Sequence, residues 1–74
     1  MTNNYIEILK PVGKNIAKYR KAAGFTQVQL AVEIEKSSDY IHLIEAGKRN
    51  PSLKTLAKIS VILNVDIVEF FKIS

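Results

Sequence analysis

Hydrophobic positions recur along the chain at spacings of three and four, without the sustained alternation of strands, and this pattern predicts helices throughout. Val12, Ile16, Tyr19 and Ala23 form one stripe, and Gly24 supplies the left-handed residue that commonly ends a helix, so helix 1 is placed from about Val12 to Ala23. Thr26 and Gln29 have the spacing of a capping box and open helix 2, which turns Leu30, Ala31 and Ile34 inward. Glu35-Lys36-Ser37 breaks the apolar rhythm. Ser37 then caps helix 3, which runs over about 38–46, turns Ile41 and Ile44 inward and stops at Gly47. Asn50-Pro51-Ser52 is a turn that delivers Ser52 as the cap of helix 4, with Leu53, Leu56, Ile59, Ser60 and Leu63 inward and Asn64 at its end. Asp66 caps a last short helix, with Glu69 in the reciprocal position and Ile67, Phe70 and Phe71 closing the core. The expected fold is all-α: a compact five-helix domain over residues 12–74, preceded by an arm over residues 1–11.

Helices 2 and 3 are short, joined by a short polar turn and followed by Lys48-Arg49. Two such helices crossing steeply must approach closely, and the methyl group of Ala31 is about what fits between them. A pair of this kind can hold its second helix in a duplex groove while the basic loop touches the phosphates beside it. With Ile41 and Ile44 inward, helical geometry leaves Ser38, Asp39, His42 and Leu43 on the outward face of helix 3, where they are candidate readers of base edges. The competing reading of these four is an ordinary solvated face. Asp39 either accepts from a cytosine amino group or caps helix 3, and Leu43 is suited to a thymine methyl. Ser37, Tyr40, Lys48, Arg49 and Asn50 border this face as candidate phosphate contacts; for Tyr40 the alternative is a ring packed on a neighbouring helix. His42 has no cysteine or second histidine beside it, so a metal site is not expected, and no cofactor is implied.

Composition narrows the class. A chain of 74 residues, 47% hydrophobic and without cysteine, can build one small core and has neither disulfides nor thiolate metal sites to staple it. Nothing approaches the roughly 20 apolar residues of a membrane span, and Met1-Thr2-Asn3-Asn4 does not open a signal peptide, so a cytoplasmic, nucleoid-associated location is expected. The net charge of +4 favours an anionic partner, and Lys10, Lys14, Lys18, Arg20 and Lys21 follow one another with no acid between them. No nucleophile stands near the histidine at a recognisable spacing and no glycine loop could cradle a phosphate, so an enzyme is not expected.

At Arg20, Thr26-Gln27, Leu30-Ala31, Ile41, Glu45-Ala46-Gly47-Lys48-Arg49 and Pro51 the chain resembles the Xre/Cro-C1 family of helix-turn-helix DNA-binding proteins, over about Val12 to Phe71. The resemblance implies a lambda-repressor-like fold and a transcriptional regulator that binds double-stranded DNA. It implies Gln27 as a phosphate-contacting, orienting residue, Ser38, Asp39 and Leu43 as base readers in the major groove, and Lys48 and Arg49 on phosphates. It also implies that Arg20 and Glu45 form a partly buried structural ion pair rather than DNA contacts. Glu35 stands where the family usually has glycine, so the turn there is built differently or strained.

Val61, Ile62, Val68, Phe71 and Ile73 supply more apolar surface near the C-terminal end than one core needs. They are candidates for a two-fold homodimer interface that would set two helices 3 roughly 34 Å apart, on successive major grooves of a near-palindromic site. The alternative is that they enlarge the core. Tyr5, Ile6, Ile8 and Leu9 in the arm either extend helix 1, cover Val28 and Val32, or meet a partner protein. The leading functional expectation is a dimeric, sequence-specific repressor; the alternative is a protein-interaction module or antitoxin-type adaptor on the same fold.

Overall fold

The computed structural model describes residues 4–73. They form four α-helices, α1 (Ile6–Ala22), α2 (Gln27–Glu33), α3 (Ser38–Glu45) and α4 (Leu53–Leu63), followed by a 3-10 helix (Ile67–Phe71). No strand occurs among the described residues. The all-α expectation holds, with the fifth element tighter than an α-helix. Among the described residues no helix is long and apolar enough to cross a membrane.

Helix boundaries follow from local chemistry. The Thr26 hydroxyl accepts from the Gln29 amide at 3.0 Å while the Gln29 side chain accepts from the Thr26 amide at 2.9 Å, a complete capping box. Ser37 accepts from the Tyr40 amide, Ser52 from the Thr55 amide and Asp66 from the Val68 amide, each at 3.0 or 3.1 Å. Ser37, not Asp39, therefore caps α3; Asp39 lies in the first turn, where its charge favours the positive end of the helix dipole. Gly24, Gly47 and Asn64 all take positive φ at the helix ends expected of them. Helix α1 departs from expectation by starting at Ile6 rather than Val12. Pro11 lies inside it, where its missing N–H leaves the Glu7 carbonyl without a helical partner, yet the helix continues. The described part of the arm thus extends helix 1 and leaves Val28 and Val32 exposed, while residues 1–3 lie outside the described residues.

The core is Val12, Ile16, Leu30, Ala31, Ile34, Ile41, Ile44, Leu56, Ile59, Leu63 and Phe70, drawn from every helix. Phe70 from the 3-10 helix is fully enclosed and meets Tyr19 ring to ring at 6.3 Å. Two expected core residues lie elsewhere. Leu53 is 71% exposed at the first position of α4, ahead of the buried Thr55 and Leu56, and Phe71 is exposed beside the enclosed Phe70. Glu69 does not reach back to the Asp66 amide. It accepts from the Tyr19 hydroxyl at 2.9 Å and pairs with Lys72 at 2.6 Å, long-range and local partners that outcompete a reciprocal cap.

Two close contacts fix how α1 meets α3. A Cβ on Gly13 would land on the Ile44 carbonyl and lie 2.8 Å from the Glu45 carbonyl, so only glycine allows the backbones to approach this far. About two turns later Arg20 forms a fork on Glu45, Nε to Oε2 at 2.6 Å and Nη2 to Oε1 at 3.1 Å, while its Nη1 donates to the Phe25 carbonyl at 2.8 Å. Both side chains are more than nine-tenths enclosed.

Glu45→Gln leaves the enclosed guanidinium without its counter-charge and should destabilise the domain by about 3 to 5 kcal/mol in urea unfolding; an unchanged midpoint would refute the pairing as a stabilising element. Glu35 sits at φ 58°, a conformation costing an L-residue about 1 kcal/mol, so Glu35→Gly should raise the unfolding midpoint modestly. The Lys72 ammonium and then the Tyr19 hydroxyl hold the Glu69 carboxyl below its ordinary 4.5. Its contribution is therefore fully present above about pH 4.5 and fades as pH falls through the lower folded value. The stability gap between the wild type and Glu69→Gln, followed by denaturant midpoint, should close in acid.

Candidate nucleic-acid interface

Helix α3 is seated by Ile41 and Ile44, both essentially inaccessible, and by Ala31 of α2 and Ile34 just after it. Its eight residues give barely two turns, so fixing two inward positions fixes which side faces out. That side carries Ser38, Asp39 and His42, all exposed, with Leu43 half-buried at its edge. The four candidate base readers therefore share one surface, continuous with the ends of the helix. Ser37, Lys48, Arg49 and Asn50 are exposed around it. Pro51 is buried and anchors the loop that carries the two cations back to α4.

Gln27 has an additional engagement. Its side-chain nitrogen donates to Glu45 Oε1 at 3.0 Å, which joins the first turn of α2 to the Arg20 fork and leaves one of its two amide hydrogens for another acceptor. The Glu45 carboxylate thus accepts from α1 and α2 while standing at the last position of α3. Orientation of the two crossed helices and the placement of Gln27 at the surface depend on one group.

Tyr40 is half-buried against the core, and two cations lie over its ring: Lys36 Nζ at 5.3 Å from the centroid and the Arg49 guanidinium carbon at 5.1 Å. Lys36 belongs to the turn before α3 and Arg49 to the loop after it. Sequence reasoning passed over Lys36; its position four residues ahead of Tyr40 was the available signal. It also passed over Gly13, whose signal was a glycine in mid-helix, where it costs about 1 kcal/mol relative to alanine without a compensating contact. Lys10, counted in the basic stretch, packs its stem at Gly47, and Arg20 is withdrawn from the surface by Glu45.

Of the five candidate interface residues near the C-terminal end, Val61 and Ile73 are the most open, at 79% and 74%, and Val68 and Phe71 are exposed. Ile62 is half-buried and packs on the core.

Known proteins share this arrangement. The profile of the helix-turn-helix family matches residues 16–70. The HTH-type transcriptional regulator SlrR of Bacillus subtilis is 43% identical over 61 residues, 81% of this chain and 40% of SlrR. The HTH-type regulator y4dJ of Sinorhizobium fredii is 34% identical over 64 residues, 86% of this chain and 83% of that protein. The chain thus spans well under half of SlrR and most of y4dJ. Among solved structures, the restriction-modification controller protein C.AhdI from Aeromonas hydrophila superimposes with a TM-score of 0.87 at 28% identity, covering 93% of this chain and 100% of that one. SinR, a master regulator for biofilm formation solved in complex with DNA, gives 0.76 at 31% identity over 82% of this chain and 98% of its own. By the extent of the profile match and by the seat of α3 beneath it, the chain belongs to the Xre/Cro-C1-type helix-turn-helix family.

Proposed function

We propose that this chain is a sequence-specific, double-stranded DNA-binding transcriptional regulator acting in the cytoplasm at the nucleoid, and a binding domain rather than an enzyme. The observation that carries this reading is the outward surface of α3, open along Ser38, Asp39 and His42 and bordered by Lys48 and Arg49. A short helix with cations beyond its end suits a major groove, the cations meeting phosphates and the polar face meeting base edges. The likeness to SinR, solved on DNA, supports it. In this reading Ser38, Asp39, His42 and Leu43 face bases, and Ser37, Gln27, Lys48, Arg49 and Asn50 face the backbone.

The regulator acts as a homodimeric repressor. Support comes from Val61, Val68, Phe71 and Ile73, apolar and exposed around the C-terminal half, with Ile62 at the edge of that surface. Two copies joined there would present two α3 helices to a near-palindromic site. Residues 12–74 constitute the DNA-binding unit in this scheme, with residues 6–11 joined to it as the opening of α1.

Titration against a duplex selected from a random pool, repeated between about 50 and 200 mM salt, tests the reading. Each phosphate contact contributes about 0.9 to the slope of log K against log salt, so Lys48→Gln with Arg49→Gln should flatten the slope by roughly 1.8. His42→Ala should instead alter sequence preference at nearly constant slope. Binding that ignores salt, or no binding to any duplex, would favour a protein-interaction module on the same fold.

A further inference from the structure

The turn before α3 and the loop after it meet over one aromatic ring. Lys36 lies 5.3 Å and Arg49 5.1 Å from the centre of the Tyr40 ring, both inside the distance at which a cation is held by the negative face of the ring. The ring itself is fixed, because Tyr40 stands in the first turn of α3 and packs against the core beside Ile41. Neither cation forms an ion pair with a carboxylate among the described residues, whose two ion pairs are Arg20 with Glu45 and Lys72 with Glu69. An anion that comes to the edge of this ring is attracted by both cations.

We infer that Tyr40 is a positioning residue, whose ring holds Lys36 and Arg49 in place as a two-cation clamp on the phosphates beside α3, and that Lys36 is itself a phosphate contact. This rests on the DNA-binding reading above and deepens it. The chemistry follows from what free lysine and arginine side chains lose on binding. Both have many rotamers, and ordering them at an interface opposes association. Stacked on an anchored ring, they are already confined before the nucleic acid arrives. The hydroxyl of Tyr40 has no part in the clamp; the ring face does.

The distinction between ring and hydroxyl makes the inference testable. The probe is a mixed-sequence duplex of about 30 base pairs, since the phosphate term is independent of sequence. Lys36→Gln, at an exposed position, should reduce the slope of log K against log salt by about 0.9. Tyr40→Phe keeps the ring and should bind with the wild-type slope. Tyr40→Leu removes the ring and should weaken binding several-fold at low salt, with Lys36→Gln then costing less than it does in the wild type. Lys18→Gln is the control: Lys18 lies 5.2 Å over the Tyr19 ring, on a different helix, and its removal changes the net charge equally. Ring-current shifts of the Lys36 and Arg49 side-chain protons, read by NMR without DNA, should be present in the wild type and Tyr40→Phe.

Tyr40→Phe weakening binding as much as Tyr40→Leu would transfer the role to the hydroxyl and overturn the inference. So would an unchanged slope in Lys36→Gln, or an equal loss in Lys18→Gln. If Tyr40→Leu fails to fold, Lys36→Gln, Tyr40→Phe and the ring-current shifts still decide. A wild-type protein that binds no duplex at any salt overturns the DNA-binding reading along with the clamp, whereas normal wild-type binding with unaffected variants overturns the clamp alone.

Discussion

A carboxylate at the end of α3 accepts hydrogen bonds from Arg20 of α1 and Gln27 of α2, and the guanidinium that grips it also binds the carbonyl of Phe25 between those helices. Three helices and one connecting loop are thereby referred to a single enclosed ion pair. Desolvating two charges is costly, and a well-packed apolar pair could be as stable. Apolar packing alone, however, tolerates sliding, and a forked guanidinium does not: its donors fix both the distance and the rotation of the carboxylate they meet. The pair serves geometry first. With α3 only eight residues long, its tail position sets the tilt of the whole outward face.

The elements governed by neighbouring residues could be read directly from the chain. Thr26, Ser37, Ser52 and Asp66 each satisfy an amide two or three residues ahead, which requires no knowledge of the remaining fold. Where distant groups compete, the local reading loses. Glu69 has a reciprocal-cap spacing, but the Tyr19 hydroxyl from α1 reaches it first. Leu53 has the right phase for the inward stripe of α4, yet it stands one turn beyond where the core ends. Pro11 reads as a boundary, although a helix whose next turns are anchored by Val12 and Ile16 continues through it.

The candidate site divides in the same way. The phase of Ile41 and Ile44 was sufficient to identify the residues facing outward, because on a short helix two buried positions leave one open side. The Arg20 and Glu45 pairing, 25 residues apart, came from family likeness, since helical spacing cannot reveal it. The double use of the Tyr40 ring was not legible, because Arg49 arrives from beyond a helix end and only the folded chain shows where that loop returns. Glu35 belongs with that pair: only the family likeness marks its place as a glycine position, and the backbone accepts it there at positive φ.

The contact at Gly13 has one more effect. Main chain lies against main chain there, on the Ile44 and Glu45 carbonyls, so at that point the approach of the two helices is limited by backbone alone. None of the residues on the exposed flank contributes to that spacing. Those positions can diversify through evolution, or be rewritten by design, while the platform carrying them keeps its attitude.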